Sequence, residues 1–440
     1  MPAVMPAAAS VTERVSLTIS ALRNKLPFAV VILTVAINSL GIGLIFPVMP
    51  SLLLEMGIPS IAQAASIGGL MSLVFALMQF LCGPMLGRLS DRFGRRAVLL
   101  TSLIAVGIDY AILAVAGSLW LFFIARMISG IASATFSVAN AVIADLTPPD
   151  QRAANFGLTG AAFGIGFVLG PVVGGFLGEL GPRAPFLAAA GLALLNAALA
   201  FFVLPETLKP ENRRAFSWRA SNPFAIFGEL ARRPALGHLV SVHFLDNLSS
   251  LVYPAVWAYF AAAQFGWSPA TIGLSLASYG LFFAIIQAGA IRLFLRYLGE
   301  FGTAVFGLSA GVASFVVLTM LTSGFWAFAL APFFAARVVT GAALNGMLSK
   351  RVGEDEQGAL QGILAGMMGL GSLVGIPLMS QVFAYASRED TLNFLGAPFA
   401  VAALIALAAL VILLGPSLRL RADTAAGKDH PAPRHLRDRS

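Results

Sequence analysis

Four charged side chains lie inside stretches of sequence that are otherwise nearly free of charge: Asp109, Arg126, Asp246 and Arg337. A charge inside a membrane-spanning helix is costly, so it usually serves a function. An apolar setting favours the neutral form of a carboxylic acid, which can then bind a proton on one side of a membrane and release it on the other. Asp109, Asp246 and Arg126 are therefore the candidates for proton coupling. Arg337 is interpreted as structural, because no acid in the sequence matches it.

The composition indicates that these charges sit in helices that cross a membrane. Of the 440 residues, 58% are hydrophobic and only 11% are charged. A soluble domain carries about 25% charged residues. This chain therefore has too few charged side chains to cover the water-exposed surface of a soluble protein of its length. We therefore predict an all-α integral membrane protein.

Apolar runs between charged, Gly and Pro breaks predict twelve spans, each close to the ~20 residues that a bilayer core requires. The predicted spans are 27–50, 63–86, 97–115, 119–144, 154–177, 185–204, 237–262, 270–291, 302–321, 325–346, 358–382 and 394–415.

The basic residues predict the orientation. With both termini in the cytoplasm, 24 of the 28 Lys and Arg residues fall on the cytoplasmic side, which is the positive-inside pattern. The net charge of +8 is thus explained without a nucleic-acid partner. The predicted parts are a cytoplasmic segment 1–26, a six-helix half 27–205, a central cytoplasmic loop 206–236, a second six-helix half 237–415 and a cytoplasmic tail 416–440.

The sequence does not indicate an enzyme. The single cysteine, Cys82, excludes an internal disulfide and a Cys-based metal site, and the four His residues lack metal-ligand spacing. We expect no cofactor and no metal, with the proton gradient as energy source. The expected partners are the proton, a small-molecule substrate and the lipid bilayer, and the expected state is a monomer.

Internal similarity supports two repeated halves. The run ARMISG at 125–130 recurs as ARVVTG at 336–341, and the glycines of 164–170 recur with the same gaps in 369–375. Three further matches occur in the same order, so we predict two parallel, pseudo-symmetric six-helix halves. This layout resembles that of the major facilitator transporters, whose substrate site lies between the halves.

The loop at 87–96 reads GRLSDRFGRR and places an acid among arginines, followed by a glycine that permits a tight turn. It resembles the signature loop of the major facilitator proteins, and the resemblance implies a cytoplasmic gate that breaks apart when the carrier inverts. Glu206 is either a gate partner for these arginines or a solvated helix end. The predicted gate residues are Gly87, Asp91, Arg92, Gly94, Arg95, Arg96 and Glu206.

The fifth span, with GAAFGIGFVLGPVVGG at 160–175, is rich in glycine and contains one proline. Such glycines bring helix backbones together, and the proline imposes a kink. The run resembles the motif of drug:proton antiporters, although an ordinary close-packed helix is the alternative. The predicted motif residues are Gly160, Gly164, Gly170, Pro171, Gly174 and Gly175.

Five segments together resemble the tetracycline-resistance class of these antiporters over nearly the whole chain: GIGLIFPVMP at 41–50, IDY at 108–110, AVIAD at 141–145, FGW at 265–267 and QGALQG at 357–362. That class has Asp where this chain has Asn38 and Gly311, and His where it has Phe283. Only the class carboxylate that matches Asp109 is retained. The resemblance implies the fold and antiport and leaves the substrate open.

The repeat places Asp246 opposite Ser39, the neighbour of Asn38. We therefore predict that Asp246 replaces the carboxylate missing from the first span, the alternative being a local cap or ion pair. Polar and aromatic residues at similar depth predict a cavity for an amphipathic, partly aromatic molecule. The predicted substrate-binding residues are Asn38, Gln79, Gln287, Phe46, Tyr253 and Trp257.

These patterns favour a proton-coupled antiporter that exports a drug such as tetracycline, or a related amphipathic compound, by alternating access. The alternative is a symporter or exporter of the same fold for an endogenous metabolite such as a sugar or an organic acid. The direction of pH-driven flux distinguishes an uptake symporter from the antiporter.

Overall fold

The computed structural model describes residues 11–132, 135–216, 222–353, 356–388 and 390–425. Residues 1–10 of the predicted N-terminal segment, 217–221 of the central loop and 426–440 of the predicted tail lie outside this description. The described residues form helices and loops without a strand.

The first half of the chain contains α1 to α8. Their bounds are α1 Val11–Ile45, α2 Met49–Glu55, α3 Ile61–Phe93, α4 Arg95–Val115, α5 Leu119–Ile131, α6 Thr135–Leu146, α7 Arg152–Glu179 and α8 Ala184–Val203. Two residues explain the bounds of α3: the Ser60 hydroxyl accepts the Gln63 N–H and caps its start, and Gly94 at φ 106° ends it. The tight turn predicted at Gly94 is therefore confirmed.

The second half contains α9 to α18. Their bounds are α9 Ala225–Ala231, α10 Pro234–Ser250, α11 Val252–Phe265, α12 Pro269–Ile285, α13 Ile291–Thr319, α14 Gly324–Ala329, α15 Ala331–Ala335, α16 Val339–Ser349, α17 Gln357–Ala386 and α18 Ala397–Ala425. A π-helical turn, Ile286–Ala290, joins α12 to α13, and a 3₁₀ turn, Ala336–Val338, joins α15 to α16.

Among the described residues, nine helical stretches are long and apolar enough to cross a membrane. One of these, Pro269–Thr319, holds both the eighth and the ninth predicted spans, which Gly299 separates at φ 66°. The seventh and tenth spans are broken into shorter helices. Pro254 and Pro332 lack the N–H that would continue each helix, so α10 ends at Ser250 and α14 ends at Ala329. The twelve predicted spans are consistent with this layout.

The chain folds into two compact units, one made of residues 1–223 and 257–281 and the other of residues 224–256 and 282–440. The hydrophobic core of the first unit takes buried residues from α1, α4, α6, α7 and α8. That of the second takes them from α10, α13, α16, α17 and α18. In the predicted order of spans these are equivalent helices, so the two cores are built in the same way.

Candidate functional site

A buried ion pair joins α4 and α5 in the first unit. Asp109 is fully buried, and one Nη of Arg126 donates a hydrogen bond to its carboxylate. The same guanidinium lies over the ring of Phe75 on α3, at 5.9 Å from the ring centroid. An ion pair in an apolar setting is stable only while both charges are present, so protonation of Asp109 would release Arg126. The structure thus brings together two of the residues that the sequence predicts for proton coupling.

A second buried pair joins α10 to the 3₁₀ turn in the second unit. One Nη of Arg337 lies 2.7 Å from a carboxylate oxygen of Asp246 and 3.1 Å from its backbone carbonyl oxygen. The side chains of Arg337 and Asp246 are only 9% and 14% exposed. The interpretation that Arg337 has no matching acid is therefore wrong, because the acid comes from the seventh span. The replacement of a first-span carboxylate by Asp246 stays a prediction.

A small apolar cavity in the first unit is lined by Asn38, Tyr110 and Asn196 among others. Asn196 on α8 is buried, and its side-chain carbonyl accepts the hydroxyl of Thr34 at 3.1 Å. Ser39 does not line this cavity, and its hydroxyl donates to the backbone carbonyl of Phe163 at 2.7 Å. Thr34 and Asn196 are polar groups that our sequence analysis missed. Their signal was a lone Asn and a lone Thr in otherwise apolar spans.

The loop between α3 and α4 is held by acids from three elements. The guanidinium of Arg95 lies 2.5 Å from Asp91 and 3.4 Å from Asp145 of α6. Glu206 caps α4, because its carboxylate accepts the backbone N–H groups of Arg95 at 2.9 Å and Arg96 at 3.3 Å. Negative charge at a helix N-terminus is stabilising. The side chain of Glu206 therefore contacts the backbone of the predicted gate loop. Asp145 is a further residue of this ion-pair cluster, and our sequence analysis did not assign it to the gate.

The other predicted gate residues have local roles. The carbonyl of Gly87 accepts the hydroxyl of Ser90 at 2.8 Å. Arg92 lies over the ring of Phe93, at 5.1 Å from the ring centroid. Arg96 donates to the carbonyl of Phe201 at 2.6 Å and covers the ring of that residue. Among these three, only Arg96 contacts another helix, and it holds the start of α4 against α8.

Glycines on α7 allow close packing on two sides. A Cβ on Gly170 would lie 2.6 Å from the carbonyl oxygen of Leu40, and one on Gly174 would lie 2.7 Å from the Cα of Leu44, so both face the backbone of α1. Pro171 lies against Gly43 of α1. Gly175 faces the start of α12, where its Cβ would lie 2.5 Å from the carbonyl oxygen of Pro269. Gly160 and Gly164 face open space, so of the six predicted motif residues they alone do not contact another helix.

Comparison with known proteins shows the family to which the chain belongs. The Major Facilitator Superfamily profile matches residues 31–248. The tetracycline resistance protein of class C from Escherichia coli is 41% identical over 390 residues, which are 89% of this chain and 96% of that protein. The class G protein from Vibrio anguillarum is 40% identical over 79% of this chain and 87% of that protein. The chain belongs to the tetracycline-resistance family of the major facilitator superfamily.

A solved structure agrees with this family and its fold. The crystal structure of the human organic anion transporter MFSD10 (TETRAN) matches with a TM-score of 0.64 at 25% identity, covering 89% of this chain and 99% of that one. The protein is therefore a multi-pass membrane transporter of small molecules with the major facilitator fold, and it is not an enzyme. Within the described ranges, no group of three His, Cys, Asp or Glu side chains could hold a metal ion.

The residues predicted to bind substrate in this transporter fall into both compact units. Asn38, Phe46, Gln79 and Trp257 belong to the first, whereas Tyr253 and Gln287 belong to the second. Gln79 and Gln287 are exposed in the middle of apolar spans, and Gln287 sits in the π-helical turn. Trp257 is buried, and its indole N–H donates to Ser275 at 2.9 Å. Its geometry is that of a packing residue.

Proposed function

We propose that this transporter is a proton-coupled antiporter that exports tetracycline or a related amphipathic drug. The substrate class follows from the tetracycline resistance proteins to which the chain is 41% identical over nearly their full length. The protein would work as a monomer in a bacterial inner membrane, with both termini in the cytoplasm. The proton gradient would drive it without a cofactor.

The buried Asp109–Arg126 pair is the observation that supports coupling. A proton that enters from outside would neutralise Asp109 and free Arg126 from its partner. The two charges are each stabilised chiefly by the other, so neutralising one changes the packing of α4 against α5. Release of the proton to the cytoplasm would restore the pair, and drug and proton would favour opposite states of the carrier.

The loop 87–96, with Asp145 and Glu206, would act as the cytoplasmic gate. The ion pairs of Arg95 with Asp91 and Asp145 hold α3, α4 and α6 together at one end of the first unit, and Glu206 caps α4. In this proposal the gate must loosen each time the carrier opens to the cytoplasm. The glycines of α7 would let α1 and α12 move against a smooth helix face.

Growth of a drug-sensitive bacterial strain that expresses the chain tests the substrate. We expect wild-type protein to raise the minimum inhibitory concentration of tetracycline and the Asp109→Asn variant to abolish this effect. Asp390→Asn, a change of the same chemistry at an exposed loop position, should behave as wild type. If wild-type protein at normal abundance confers no protection against tetracycline, an endogenous metabolite becomes the favoured substrate.

A further inference from the structure

The pair of Asp246 and Arg337 is a second buried acid and base, located entirely within the second unit. We propose that Asp246, Arg337 and His243 form a second proton-binding unit that acts beside Asp109 and Arg126. Protonation converts the Asp246 carboxylate into a neutral acid, and Arg337 keeps its charge but loses its ionic partner. A role of this unit in coupling rests on the proposed antiport, whereas its binding of a proton does not.

His243 is the first observation that points beyond a structural pair. It lies three residues before Asp246 on α10, so the two side chains share one face of the helix. His243 is only 8% exposed, and neither of its ring nitrogens has a hydrogen-bond partner. A buried imidazole without such partners is costly to keep. It lies one turn from the Asp246 carboxylate, so the charges of the two groups interact and the protonation of one affects that of the other.

The backbone around the pair is the second observation. Three spans depart from α-helical geometry: α10 breaks from α11 at Leu251, the π-helical turn occupies 286–290, and the 3₁₀ turn that carries Arg337 occupies 336–338. The π-helical turn contacts the 3₁₀ turn. Irregular backbone at membrane depth is tolerated where it is buried in protein or lines a polar cavity, and π turns are frequent at functional sites. The π-helical turn and the 3₁₀ turn contain no proline, so a missing N–H does not explain their irregular backbone.

Few other charges face this unit. The helices packed against α10 and the 3₁₀ turn carry their ionisable groups near their ends. Tyr253 on α11 adds an aromatic hydroxyl close to the pair, because its ring contacts Phe315, over which Arg337 lies. The groups at those ends, or just beyond them, are Glu229, Arg232, Arg233, His238, Arg292, Arg296, Tyr297, Glu300, Lys350, Arg351, Glu356, Tyr385 and Arg388. In the described middle parts of these helices, the electrostatics of the site are therefore set by Asp246, Arg337 and His243.

Position 311 on α13, a glycine, allows a control variant in which the carboxylate is moved to another helix. A Cβ built on Gly311 would lie 3.5 Å from Nε and 3.7 Å from Cβ of Arg337, which is ordinary contact. An acid introduced there could therefore reach the same guanidinium without displacing the backbone. The double change Asp246→Asn with Gly311→Asp moves the carboxylate from one helix to another and keeps its partner.

The test is infrared spectroscopy of the purified, drug-free protein in lipid between about pH 6 and 8, where exposed carboxylates are ionised and protonated buried acids give a distinct carbonyl band. We expect two titrating bands in wild type, with the total area falling by about half in Asp246→Asn. Asp246→Asn with Gly311→Asp should restore the lost band. Asp390→Asn should change nothing. His243→Gln should change the pH dependence of the band that Asp246→Asn removes, because it deletes the imidazole one turn away.

An unchanged band in Asp246→Asn would overturn the proposal and leave a purely structural ion pair. Should Asp246→Asn fail to fold because Arg337 has lost its ion pair, Asp246→Asn with Arg337→Gln removes both charges and gives the same readout. Wild-type protein labelled with ¹³C at its Asp carboxyl carbons gives a readout without any variant, since NMR counts the protonated Asp residues in the same pH range. Two are expected, and fewer than two would refute the second unit. Neither the infrared nor the NMR measurement uses tetracycline. If tetracycline proves not to be the substrate, both measurements still test whether Asp246 binds a proton.

Discussion

Asp109 and Arg126 compensate each other's charge in the core of the first unit. Arg126→Gln would leave the buried carboxylate without its cation, and breaking a buried pair from one side costs about 3–5 kcal/mol. We expect thermal unfolding to show this loss. In the double variant Asp109→Asn with Arg126→Gln, stability should return, because no uncompensated charge remains, whereas proton-driven transport should not return.

The double variant is what separates the two roles of this pair. If it transports as well as wild type under a pH gradient, the pair serves stability alone. If Arg126→Gln unfolds at the same temperature as wild type, Arg126 does not stabilise the fold through the charge of Asp109.

At the residue scale, the sequence identified the charges and could not pair them. Asp109 and Arg126 lie on consecutive helices, so their meeting could be anticipated from depth. Asp246 and Arg337 are 91 residues apart and meet because α10 packs beside α16 and the turn before it. The rotation of each helix about its axis decides such a contact, and an apolar sequence with small residues on every side does not reveal it.

The element that depends most on small residues is α7. Gly174→Ala would place a methyl group against the backbone of Leu44, which cannot move aside as a side chain can. Overpacking of this kind costs about 1–3 kcal/mol and should also reduce drug resistance. Gly160→Ala, on the same helix in open space, should be neutral or slightly stabilising. Equal unfolding temperatures for the two variants would contradict this packing.

The short helix α9 is tied to α17 by an exposed ion-pair cluster. Arg233 lies 2.5 Å from Glu229 and 3.0 Å from Glu356. The hydrogen bond from Arg233 lowers the pKa of Glu229. A lowered folded pKa means that the contribution of the pair is present above the ordinary value of about 4.3 and is lost as the pH falls through the folded value.

Titration of ¹³C-labelled Glu229 by NMR checks this contact. We expect a midpoint below the ordinary value in wild type and a return towards that value in Arg233→Gln. Arg232→Gln is the matched control, because Arg232 is highly exposed and contacts Glu229 less closely, at 3.2 Å. It should leave the midpoint nearly unchanged. A wild-type midpoint equal to that of Arg233→Gln would contradict the assigned pair.

At the element scale, the sequence predicted the spans better than their interruptions. The break before Pro254 and that before Pro332 have an evident cause in the missing N–H groups. The π-helical turn 286–290 contains no proline, and no local sequence signal marks it. It contacts the turn that carries Arg337, which is distant in sequence.

At the scale of the whole molecule, the two units repeat one plan with different charges. Their cores use equivalent helices, yet the acid that pairs with the arginine comes from the third span in one and from the seventh in the other. The internal repeat in the sequence predicts the shared plan, because it preserves glycines and both arginines. It does not predict the difference, because the acids themselves have no counterparts.

The central claim is that drug leaves as protons enter. The most direct measurement follows tetracycline and lumenal pH together in everted membrane vesicles that contain the protein. An acidic lumen should drive tetracycline into wild-type vesicles and the lumenal pH should rise as drug enters, with neither change in Asp109→Asn vesicles. Drug uptake driven by an alkaline lumen, or uptake without proton movement, would contradict antiport.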